Sequence, residues 1–239
     1  MTEAEWLAGD DPEPMIEHHC ATATLRKTRL LGIACCRRLD DMLDNLDAKR
    51  ALRVAELWAE GECGAVERKE ARRVAQAVAE LASRLSLEDG LTLSDSAAWI
   101  VQRLLQCGPL PLGGICYAAQ MARLKDVGAR AYLAKVPSEL ADERRNEVRE
   151  AEKRAQCHLL RCIFGNPFRP VALDPRWGTE TAVALASGIY TDRSFDRLPI
   201  LADALEDAGC DAVELLAHLR GPGPHARGCW PLDLLLGRV

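Results

Sequence analysis

The sequence predicts an all-α protein: an irregular helical bundle, then a long proline-rich loop and a compact C-terminal helical unit. Three observations carry that expectation. Ala and Leu are abundant while aromatics make up only 5%, and both residues lose little on entering a helix. Apolar residues recur at spacings of three and four, the period of one helix face. No stretch shows the alternation of a half-buried strand.

Taken in order, "TEAEWLAGDDPEP" reads as a brief helix anchored by Trp6 and followed by a Pro-punctuated turn. A first strong helix spans residues 24–46, with Gly32, Cys35, Leu39, Met42 and Leu46 on one stripe. Asp47 offers an N-cap for a second, with Ala51, Val54, Ala55 and Trp58 on one face. A third covers residues 65–85 through Ala71, Val74, Val78, Leu81 and Leu85, closed at Gly90. Ser94 or Asp95 caps a fourth. "CGPLPLGG" breaks the chain before a helix over 115–133. Ser138 caps a long charged helix whose stripe is Val148, Ala151, Ala155, His158 and Cys162. Pro167, Pro170 and Pro175 then exclude a continuous helix. Short helices follow over 179–189, 197–208 and 212–219, the second capped by Asp196 and the third by an Asp211/Glu214 pair. The expected division is 1–164, a bundle, and 165–239, a unit packed on it, or one continuous domain.

Composition narrows the function. The chain of 239 residues carries a net charge of −5, whereas a duplex binder concentrates a basic surplus on one face. No run of 18 apolar residues exists, so no membrane span is expected. The acidic start lacks the basic and apolar regions of a signal peptide, which points to the cytoplasm. There the ten cysteines are free thiols or metal ligands rather than disulfides. No CxxC occurs, which removes the commonest zinc-pair spacing.

The head "MTEAEWLAGDDPEPM" with "RKTRLLGIACCRRL", and the tail from "LLRCIFGNPFRPVALDPRW" through "LPILADALEDAGC" to "GPGPHARGCWPLDLLLG", carry a resemblance. Together they resemble an uncharacterised bacterial family that places this head and tail around a variable helical middle. The tail covers roughly the last third and is the more specific part. Cys162 departs from the pattern, which reads "LLRDIFGNPF" with Asp there. The resemblance implies a folded C-terminal unit and names no reaction.

Several groups could carry chemistry. His218, His225 and Cys229, with Cys210 as a fourth, offer the imidazole and thiolate mixture that zinc accepts. Alternatively, "GPGPHARGCW" is a rigid turn that seats the last apolar turn. Cys157, His158 and Cys162 hold a second His/Cys group, and His18, His19 and Cys20 a third. A cysteine nucleophile would be Cys229 with His225 or His218 as base. Asp203, Glu206 and Asp207 share one short helix, as solvated acids commonly do. Arg26, Lys27, Arg29, Arg37 and Arg38 on the first helix, and Arg68, Lys69, Arg72 and Arg73 on the third, offer basic faces. Phe168 and Arg169 in "NPFRPV" offer a stiff recognition element, unless Phe168 plugs its own core.

The expected function is a cytoplasmic helical interaction or accessory module without catalysis, meeting a protein partner and needing no cofactor. The alternative is a metal-binding or cysteine-dependent helical protein using the His/Cys group, with zinc as the metal. A third reading is nucleic-acid binding through the basic faces, against the net charge.

Overall fold

The computed structural model describes residues 1–19, 23–41, 43, 45–89 and 94–238. Among them are twelve α-helices and no strand, so the protein is all-α. No helix among the described residues is long and apolar enough to cross a membrane. The chain divides into two compact units, Asp10–Cys157 and Met1–Gly9 with His158–Val239. The division falls inside a helix, and the head joins the C-terminal part. The cause is Trp6, fully buried, whose Nε1–H donates to Gly165 O at 3.0 Å.

In the Asp10–Cys157 unit, α2 (Pro12–His19) replaces the expected turn. Pro12 and Pro14 fall in its first turn, where a missing N–H costs no helix bond. Helix α3 (Leu25–Arg37) is capped by the Thr24 side chain and ends earlier than expected. Helix α4 (Leu46–Ala59) starts separately, because Asn45 Oδ1 accepts from the backbone N–H groups of Asp47 and Ala48. Asn45, not Asp47, is therefore the cap. Met42 of the expected stripe and the Gly90 stop lie outside the described residues.

Helices α5 (Ala65–Asp89), α6 (Ser94–Leu104) and α7 (Leu112–Leu133) complete this core with most of α8 (Ser138–Phe164). Helix α3 packs on α4, α6 and α7, and α5 on α4 and α6. The buried face of α5 is Arg68, Ala71, Ala75 and Ala82, while the expected Leu81 is exposed. On α8 the expected Ala155 and Cys162 are buried beside Glu152, Gln156, Leu159 and Ile163, while the expected Ala151 and His158 are exposed.

Gly32 marks the closest approach in this core. A Cβ there would lie 2.6 Å from Leu104 Cδ2 and 3.6 Å from two Ile115 carbons. Overpacking a core costs about 1–3 kcal/mol. Gly32→Val is therefore expected to destabilise by about 2 kcal/mol despite the better helix former, read as a lower urea midpoint. An unchanged midpoint would show that α3 has room to move.

The other unit holds α1 (Glu3–Ala8), the end of α8, α9 (Glu180–Asp192), α10 (Leu198–Asp207), α11 (Val213–Arg220) and α12 (Trp230–Leu235). Its core includes Trp177, Ile189, Leu201, Leu215, Leu219 and Leu232. The proline-bearing loop lays Val171 and Leu173 on that core, and Asp174 caps a 3-10 turn over Pro175–Trp177. Asp196 sits inside a 3-10 turn and caps nothing, and α11 has no side-chain cap, so the Asp211/Glu214 box does not form.

Candidate metal centre

Four side chains converge inside this unit. Cys162 comes from the last turn of α8, His218 from the last turn of α11, and His225 from the turn after it. Cys229 is the residue before α12. One ligand atom from each lies within 4.8 Å of the other three. Cys229 Sγ is 3.4 Å from His218 Nε2, and Cys162 Sγ is 3.7 Å from His225 Nδ1. Zinc–sulfur and zinc–nitrogen bond lengths give tetrahedral edges of roughly 3.3–3.8 Å. The two pairs already match, and the widest separation needs to shorten by about 1 Å.

The turn "GPGPH" explains how His225 reaches the cluster. Gly223 has φ +81°, and a Cβ there would lie 3.0 Å from His225 N and 3.1 Å from its Cδ2. Only glycine combines that backbone with that approach. His225 then donates its Nε2–H to Gly221 O at 3.1 Å. This leaves the Nδ1 lone pair facing Cys162, the orientation a metal-bound imidazole needs. His218 lies edge-on to His225, with ring centroids 5.1 Å apart, and 5.7 Å from Trp230.

The electrostatics fit a cation. A hydrogen bond from Cys229, joined by those of His218 and His225, holds the buried Cys162 thiol well below the usual thiol range. Burial and the neighbouring Cys162 push Cys229 well above it. Burial opposes charge on His225, yet the Cys162 contact raises it. Thiol ligands bind a metal as thiolates, so metal binding releases their protons.

Of the expected ligands, His218, His225 and Cys229 meet and Cys210 does not. Cys210 lies in the same core, where burial raises its thiol and the Ala212 backbone hydrogen-bonds it. Cys162 takes the fourth place. The sequence offers it only in the other His/Cys group, beside Cys157 and His158. Cys157 and His158 do not join the cluster. Nor do His18 and His19, and Cys20 lies outside the described residues.

Part of the expected basic surface is buried or paired, while Lys69 and Arg73 are exposed. Arg26 pairs with Glu60, Arg37 with Glu56 and Arg38 with Glu152, at 3.3, 2.9 and 2.9 Å. Arg29 and Arg68, 6% and 4% exposed, donate to Gln106 O and Leu105 O. Those are carbonyls just past the end of α6, where a helix leaves acceptors unpaired and favours a cation. Asp203 and Glu206 pair with Arg220. Phe168 is 38% exposed, and Arg169 pairs with Glu3 at 2.8 Å.

Fold and site together define an all-α chain with a Cys2His2 group able to hold a metal ion. No protein-family model, curated protein or solved structure matches the chain.

Proposed function

We propose that this chain is a helical accessory module without catalysis, its C-terminal unit closed around one zinc ion held by Cys162, His218, His225 and Cys229. The convergence of four ligand atoms within 4.8 Å carries the reading. Two thiolates and two imidazoles suit zinc by softness and geometry. Four protein ligands fill a tetrahedron and leave no position for water or substrate, the pattern of a structural site. A reducing cytoplasm keeps both thiols available as ligands. The ion then fixes a folded surface for a protein partner.

Elemental analysis of chain purified without chelator tests this. About one zinc per chain is expected, and none in a His225→Ala/Cys229→Ser variant. Cys162→Asp keeps an anionic ligand and is expected to retain zinc, because a buried carboxylate without a cation is costly. Metal-free native chain would retire the proposal.

A further inference from the structure

Resting on that metal reading, we infer that the stretch Arg161–Arg169 is a receptor for a short acidic helix bearing a tryptophan, filled in cis by α1 and tightened when metal holds Cys162. Three contacts read the helix. The Trp6 ring is fully buried and its Nε1–H donates to Gly165 O at 3.0 Å. Arg161 donates to Trp6 O at 2.8 Å and to Gly9 O, so its guanidinium satisfies carbonyls at the C-terminal end of α1. Glu3 accepts from Asn166 Nδ2 at 2.8 Å and pairs with Arg169 at 2.8 Å.

The head is built to present those groups. Thr2 and Glu5 form a reciprocal capping box, so Glu5 folds the helix and leaves Glu3 for the receptor. A Cβ at Gly9 would lie 2.6 Å from Glu5 O, so glycine ends the helix closely enough for Arg161 to reach both carbonyls. The receptor adjoins the metal ligands. Arg161 precedes Cys162 on α8. Gly165 has φ +71° and lies under the Trp230 ring, which would be 3.2 Å from a Cβ there. Trp230 in turn lies 5.7 Å from His218. An ion that fixes Cys162 and His218 therefore fixes the end of α8 that carries Arg161 and the Trp230 ring that lies over Gly165, and ligand and metal stabilise each other by linkage.

The test removes residues 1–9 from the otherwise full chain and adds a fluorescent peptide of residues 1–10 in trans, with zinc measured on the same sample. Saturable binding is expected, weakened about tenfold or more by Trp6→Ala in the peptide and by Arg161→Gln in the chain. Stripping zinc is expected to weaken it about tenfold as well. Zinc-loaded chain that binds native and Trp6→Ala peptides alike, or neither, overturns the inference. Peptide binding by chain that never holds zinc would instead sink the metal reading and the metal dependence, leaving the contacts. Should the shortened chain not fold, hydrogen exchange on the intact chain decides. Arg161→Gln is expected to speed exchange across α1 about tenfold while Asp10–Cys157 stays protected, and unchanged exchange in α1 overturns the receptor.

Discussion

Stripping the metal is expected to lower the melting temperature of the chain by about 10 °C, and added zinc to restore it. A ligand present at a thousand times its dissociation constant stabilises the state it binds by about 4 kcal/mol. In a chain of this length each kcal/mol moves the midpoint by roughly 2–4 °C. The ligands hold α8, α11, α12 and the glycine-proline turn together, so their loss frees four segments at once. Differential scanning calorimetry with and without a strong chelator reads the shift. Identical scans on samples shown to differ in zinc content would mean that the core of Leu201, Leu215 and Leu232 holds these segments unaided.

Glu152→Ala is expected to cost about 3 kcal/mol, seen as a lower urea midpoint. Glu152 is 3% exposed and accepts two bonds from Arg38, at 3.2 Å from Nε and 2.9 Å from Nη2. Gln156 Nε2 also donates to Glu152 Oε1 at 3.3 Å and to Cys116 O at 3.1 Å. Gln120 donates to Gln156 Oε1 at 2.9 Å. Truncation leaves the Arg38 cation facing a cavity and loosens the amide chain behind it. Breaking a buried pair this way costs roughly 3–5 kcal/mol, and the part of Arg38 that remains in water favours the lower end. Glu70→Ala, which removes a fully exposed partner of Arg73, is the control and leaves the midpoint unchanged. Equal midpoints for the two variants would place the stability of α8 in its apolar residues alone.

These two sites also show what the sequence could and could not disclose. The helical class was legible because Ala and Leu recur at three and four over several independent segments. The faces of α5 and α8 were legible only in part, through Ala71, Ala155 and Cys162, since the residues that turn inward also include Arg68, Glu152 and Gln156. A hydrophobic stripe cannot locate a face whose polar members find partners on other helices. The α3–α4 break was expected at Asp47 but comes earlier, because α3 ends at Arg37 and the Asn45 side chain caps α4. In the Cys/His group, His218, His225 and Cys229 were legible because the GPGPH turn gathers them locally. Cys162 meets His225 across 63 residues of chain, and Cys210 looked nearer only in sequence. Linear spacing says little about a contact that the tertiary fold makes.

The pairing of Trp6 with Gly165 has a consequence for the order in which the protein is made. Their 159-residue separation takes about 8–30 s to synthesise at 5–20 residues per second. The Asp10–Cys157 segment is contiguous and emerges whole during that interval. The head must therefore wait, its tryptophan undocked, until the ribosome has delivered the far wall of its site. During synthesis Trp6 is open to chaperones until the segment from His158 onward has emerged and folded over it.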